Sequence, residues 1–107
     1  MKKKFVLCPA RHGHPDIDGL ETIFPSVIED VTNTSAMLET AWNAVKDCES
    51  VDLYVTGLTV AVGAVIRACY SLGIALKLWH YDRDKDVYFP QTIITELDAE
   101  FMQQSMW

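Results

Sequence analysis

No stretch of this 107-residue chain stays apolar for the roughly 18 to 20 residues a membrane-spanning helix needs, because Arg67, Gly73 and Lys77 interrupt the longest runs. The segment after the three amino-terminal lysines is apolar only from Phe5 to Cys8 before Pro9 and Arg11 intervene, so the long apolar stretch of a secretory signal is missing. The expectation is a cytoplasmic protein with no membrane association. Basic residues are scarce, nine against fifteen acidic ones, and a net charge of −6 repels duplex nucleic acid and other long polyanions. Cysteine is scarce too. Cys8, Cys48 and Cys69 are an odd number at wide spacing in apolar contexts, which suits reduced buried thiols better than a disulfide framework or a thiolate metal site. There is no internal repeat or low-complexity tract, and half of the residues are apolar, enough for one core. Residues 1–107 therefore read as a single domain.

What is present begins with KFVLC, Lys4 to Cys8, a short apolar run closed by Pro9, which predicts a buried strand. Gly13, Pro15 and Gly19 mark residues 9–20 as loop, and Ile23 and Phe24 suggest a second short strand before Pro25. From a cap at Asn33 or Thr34, the residues Met37, Leu38, Ala41, Trp42 and Val45 recur at helical spacing, predicting a helix to about Cys48. The clearest organisation follows: a strand over 51–55, a turn at Gly57, a helix from about Thr59 to Leu72, Gly73 as its stop, and a strand over 74–81. That is a βαβ unit with parallel strands and a right-handed crossover, and the apolar character of both strands suggests a sheet covered on both faces. Val87 to Thr95 reads as extended, with Pro90 marking an edge, and Thr95 with Asp98 three positions on reads as the cap of a last helix. The fold class is α/β, a Rossmann-like parallel or mixed sheet flanked by helices.

In such sheets ligands bind beyond the carboxyl ends of the strands. Two turns fall there. The first holds Arg11, His12 and His14 directly behind the first strand, in a segment whose residues 1–14 carry four positive charges and no acid. Three readings of it stand side by side: an H-x-H metal site, although a third ligand at a recognisable spacing is missing; solvated loop residues; or an arginine fork that grips phosphate beside an imidazole that moves protons. The second turn is TGLT, Thr56 to Thr59. Gly57 allows a tight turn, and the hydroxyls and unpaired amides suit a phosphate or carboxylate oxygen, although a strand-to-helix turn needs a glycine and a cap for structural reasons alone. The lysine of a P-loop and the glycine spacing of a dinucleotide fingerprint are both absent. His80, Tyr81 and Arg83 end the later strand of the βαβ unit near the same rim and can meet a nucleotide, while Tyr54, Trp79 and Tyr88 read as core or interface. Gly63 inside a helix costs about 1 kcal/mol relative to alanine, which points to a close neighbour, either the sheet or a second copy of the chain.

The succession of a strand, RHGHP, a helix, a strand, TGL, a small-residue helix, LGI, a strand, HYDR and VYFPQ resembles the small stand-alone CARF-like proteins of type III CRISPR systems, the ring nucleases. The resemblance implies a homodimer around a central pocket that binds cyclic oligoadenylate. Cleavage would need neither metal nor cofactor, the ligand's own 2′-hydroxyl attacking the adjacent phosphorus. It implies that the pocket is fed by the loops holding Arg11, His12, His14 and Thr56 to Thr59, that Arg11 and the amides of Gly57 and Leu58 hold phosphate, and that His12 or His14 serves as base or acid; His80 and Arg83 join the ligand-binding set from their place at the strand end. RHG behind an apolar strand also looks like the phosphohistidine motif of the histidine phosphatases, a family that needs a second histidine late in a longer chain. A third class, a phage or host protein that binds cyclic nucleotide without cleaving it, shares the same sequence features.

Overall fold

The computed structural model describes residues 1–105. Its elements in chain order are β1 (Lys2–Val6), β2 (Glu21–Thr22), α1 (Thr34–Val45), β3 (Ser50–Tyr54), α2 (Thr59–Leu72), β4 (Ala75–Asp82), β5 (Val87–Ile94) and α3 (Glu96–Ser105). The five strands form one sheet in the order β2-β1-β3-β4-β5, parallel except for the last pair. This is the α/β architecture that the periodicities predict, compatible with a Rossmann-like fold. β1 starts two residues earlier than its apolar run, because Lys2, Lys3 and Lys4 pair in register with Ser50, Val51 and Asp52.

Local chemistry sets most boundaries. The Asn33 side chain accepts the Ala36 amide at 3.1 Å and starts α1, which ends at Val45, short of Cys48. Gly73 stops α2 in the left-handed region at φ 66°, its amide reaching the carbonyls of Cys69 and Tyr70. Thr95 and Asp98 form the reciprocal cap of α3, with Asp98 N–H to Thr95 Oγ1 at 2.9 Å and Thr95 N–H to Asp98 Oδ2 at 3.0 Å. Pro90 sits in β5 opposite Trp79, whose carbonyl accepts from Val55 of the β3 side. The peptide groups of Trp79 thus face β3, so those of Pro90 face the free edge of the sheet, where the missing N–H blunts strand addition.

Right-handed crossovers explain how the layers are placed. β2 to β3 and β3 to β4 step across the sheet in one direction, which puts α1 and α2 on the same face, and α3 packs against α2. Phe5, Leu7, Val51, Leu53, Leu76 and Leu78 meet Ala41, Val45, Ala61, Val65 and Ala68 there in the main core. β1 to β2 steps the opposite way, so its connection crosses the other face. It is a loop, and it covers only the carboxyl end, where Ile17 and Leu20 pack with Val6, Tyr54, Trp79 and Tyr88.

The expectation of a sheet covered on both faces is therefore corrected. On the second face, Lys4, Asp52, Lys77 and Thr92 lie in one cross-strand row, alternating in charge, and no helix packs over them. Continuous apolar character holds only in the carboxyl halves of the strands, where helices and loop cover both sides.

Candidate functional site

The strands β1 and β3 are neighbours, so the turns that leave them are neighbours too. Thr56 ties them together: its hydroxyl accepts the Cys8 amide at 3.1 Å and donates to the Cys8 carbonyl. Gly57 then turns at φ +89°, where a β-carbon would lie 3.3 Å from the Cys8 sulfur, so that position combines backbone strain with a tight contact for any other residue. The Leu58 amide donates to that sulfur. Burial nevertheless pushes the Cys8 thiol above its ordinary value, against the effect of the amide, and this thiol is no nucleophile at neutral pH.

The loop behind β1 is held by His14. Its Nδ1 accepts the Asp16 amide at 3.1 Å and its Nε2 lies 3.1 Å from the Asp86 carbonyl. An amide can only donate and a carbonyl only accept, so the neutral ring must carry its proton on Nε2. Tyr88 and Tyr81 meet the ring edge-on at 5.2 and 6.0 Å, and the side chain is only 14% exposed. The Asp16 and Asp86 carboxylates stand 3.8 and 3.6 Å from the two nitrogens. His14 is thus a latch between the first loop and the β4–β5 turn. The Tyr81 hydroxyl donates to Asp86 Oδ1 at 2.6 Å, and this bond is the main cause raising the Tyr81 phenol above its usual value. Burial raises Tyr88, with the Asp16 charge adding to it. Both phenols stay protonated donors at neutral pH.

These contacts enclose a crevice of about 950 Å³ beyond the carboxyl ends of β1, β3 and β4. Arg11, His12, His14, Thr56, Gly57, Leu58 and Arg83 all line it. Arg11, His12 and Arg83 make no hydrogen bond or ion pair among the described residues, and all three are exposed. α2 begins at Leu58 with no side-chain cap, which leaves its first-turn amides facing the same rim. The arrangement offers two guanidinium forks, one unengaged imidazole and the positive end of a helix to a single anion. Pro25, Ile28 and Leu58 give the crevice an apolar side.

Two anticipated residues lie off this surface. Thr59 stands behind the turn on α2, outside the lining. His80 alternates with Tyr81 along β4 and so points to the helix side of the sheet, where its Nε2 lies 2.7 Å from Gln91 Oε1 and its ring meets Phe89. The second imidazole that a histidine phosphatase needs is not supplied by His80. Of the hydroxyl and amides anticipated for a ligand, the Thr56 hydroxyl and the Leu58 amide are spent on Cys8.

Tyr88, expected in the core or an interface, lines the crevice together with Asp86. The signal was the hairpin register, because Tyr81 pairs directly with Tyr88 and shares its face. Among the described residues no group of three or more His, Cys, Asp or Glu side chains is arranged to hold a metal ion, and no helix is long and apolar enough to cross a membrane. No protein-family model matches the sequence, and no curated protein matches it either.

Proposed function

We propose that the chain binds a cyclic oligoadenylate in this crevice and opens its ring, ending a type III CRISPR response. The observation that carries the reading is the convergence of Arg11, His12, Gly57 and Arg83 on one crevice at the carboxyl ends of neighbouring parallel strands. Two exposed arginines without acidic partners, in a chain of net charge −6, favour a compact anion over a long one. The volume is that of a small-molecule site. It accepts one dinucleotide step of a ring, and the remainder extends to a second copy, so the homodimer implied by the resemblance belongs to the same proposal.

In the reaction, His12 takes the proton of a 2′-hydroxyl as that oxygen attacks the adjacent phosphorus. The bond from phosphorus to the 5′-oxygen breaks, and the proton returns to the departing 5′-oxygen. The product is an isomer of the ligand, a linear chain with a 2′,3′-cyclic phosphate and a 5′-hydroxyl. Arg11, Arg83 and the Gly57 amide balance the charge that builds on the non-bridging oxygens. His14 acts by holding the loop that carries Arg11 and His12. A second reading, binding without cleavage, is favoured by the engagement of both His14 nitrogens, which leaves His12 as the one crevice imidazole with no partner among the described residues.

The test mixes purified protein with cyclic tetra- and hexa-adenylate in EDTA and follows products by chromatography. Linear products support cleavage; retention without turnover supports the second reading; hydrolysis of p-nitrophenyl phosphate alone would favour a phosphatase. His12→Ala is expected to abolish turnover while affinity stays within about tenfold, an allowance of about 1.4 kcal/mol. Turnover that survives His12→Ala removes the assigned base.

A further inference from the structure

The hairpin end of the crevice holds an acceptor whose direction its neighbours fix. Tyr81 is 45% exposed and lines the crevice beside Asp86. Its hydroxyl has a single proton, and that proton goes to Asp86 Oδ1 at 2.6 Å, because a carboxylate only accepts. The same bond is the largest cause holding the phenol protonated at neutral pH. What the phenol oxygen still offers to the crevice is lone pairs. Any further partner of Tyr81 must be a donor.

Asp86 is placed to keep that polarity. Among the described residues it is the one non-glycine at positive φ, 52°, a left-handed conformation that an aspartate tolerates better than most residues. Its carbonyl lies 3.1 Å from His14 Nε2 while its carboxylate takes the Tyr81 proton. One residue is thus tied at both groups, to the first loop and to β4, and the phenol has a standing acceptor.

Charge sorts the rest of a ligand. At the end of the crevice near β1 and β3, Arg11 and His12 face the Gly57 turn, and residues 1–14 hold no acid. At the hairpin end, residues 82–86 carry Asp82, Asp84 and Asp86 against Arg83 and Lys85, three acids to two bases. A phosphate is drawn to the first end, and an uncharged part of the same molecule is left at the second. β1, β3 and β4 are successive strands, each about 4.8 Å from the next, so the two ends lie on the order of 10 Å apart. That is the span from the phosphate of a nucleotide to the far edge of its base. In a cyclic oligoadenylate every 3′- and 5′-oxygen is esterified, so only 2′-hydroxyls and 6-amino groups can donate. The 2′-hydroxyl adjoins the phosphorus it attacks and stays at the first end. The 6-amino group is the donor that reaches the hairpin.

We infer, resting on the reading of the crevice as a cyclic oligoadenylate site, that Tyr81 sets its base specificity: the phenol oxygen accepts a hydrogen bond from the 6-amino group of adenine, and Asp86 is the positioning residue that stops the phenol from donating. A 6-oxo purine sets a carbonyl oxygen against the same lone pairs and is rejected.

Isothermal titration calorimetry of cyclic tetra-adenylate and cyclic tetra-inosinate into the full chain carrying His12→Ala, where turnover should be stopped, tests this. The adenylate ring is expected to bind at least about tenfold more tightly. Adding Tyr81→Phe, which keeps the ring and removes the oxygen, is expected to bring the two affinities within about threefold, with an unchanged circular dichroism spectrum. Asp86→Asn keeps a residue that suits the left-handed turn and leaves the carbonyl for His14, but its side-chain amide can donate to the phenol. It is expected to narrow the preference as well, while a merely structural role would lower both affinities alike. Equal binding of the two rings, or a preference that survives Tyr81→Phe, would overturn the inference and leave the crevice reading standing. A preference lost in Tyr81→Phe but kept in Asp86→Asn would remove the positioning role. Binding of neither ring would overturn the crevice reading and the inference together.

Discussion

The two faces of the sheet are built on different principles. On one, three helices and the inward rows of β1, β3 and β4 bury Phe5, Leu7, Val51, Leu53 and Leu76 almost completely, and among the described residues no polar or charged one is buried there. On the other, a single loop closes over three buried residues, Val6, Ile17 and Tyr54, and is held in place by the two hydrogen bonds of His14. The first face holds the fold together. The second aims Arg11 and His12, and it can do so because its cover is a loop whose position depends on a few polar contacts. The main core and the candidate site thus lie on opposite sides of the same strands.

Matched truncations test that division most strongly. Leu53→Ala, in the main core, is expected to lower the free energy of unfolding by about 4 kcal/mol, and Ile17→Ala, under the loop, by about 2 kcal/mol, because a loop can close over lost volume more easily than a helix layer can. Equal losses in urea unfolding would mean that the two clusters behave as one. A smaller effect is expected at the junction between them. Thr56→Val keeps the shape but leaves a partly buried amide and carbonyl of Cys8 without their side-chain partner, a loss of about 1 to 2 kcal/mol. Faster amide exchange at Cys8 and Gly57 should accompany it, and unchanged exchange would show that the two turns hold together without the hydroxyl.

These contrasts also explain what could be read from the sequence. The βαβ unit, the Asn33 and Thr95 caps and the Gly73 stop were legible because each is written within a few consecutive residues. The bareness of the second face was not, although Lys4, Asp52 and Lys77 stood in plain view, because their alignment in one row needs the register between strands. The same holds for His80: whether it or Tyr81 faces the crevice turns on the alternation of an eight-residue strand, and the charged turn that follows does not reveal it. His14 looked like a catalytic candidate because its partner, the carbonyl of Asp86, lies 72 residues away. Arg11, His12, His14, Thr56, Gly57, Leu58 and Arg83 could be singled out from strand ends and turns alone, whereas which polar groups the fold had already used could not.

The smallest expected effect concerns pH and leaves both faces alone. Two hydrogen bonds from Thr95 hold the Asp98 carboxyl below its usual range. A lowered folded-state value means that this cap stabilises α3 above the unfolded carboxylate range and is lost as the pH falls through the folded value. Amide exchange in α3 should therefore rise on acidification before exchange in β3 does, and Asp98→Asn should flatten that response. If α3 and β3 loosen together, the cap does not govern the helix end.

The central claim is that the first two turns present a common anion site. Its most direct measurement is a titration of cyclic tetra-adenylate into uniformly 15N-labelled His12→Ala protein, in which turnover should be stopped, read by amide and arginine side-chain shifts. Saturable changes are expected at Gly57, Leu58 and Thr59 together with Arg11 and Arg83. Changes confined to the row of Lys4, Asp52 and Lys77, or none at saturating nucleotide, would contradict that claim.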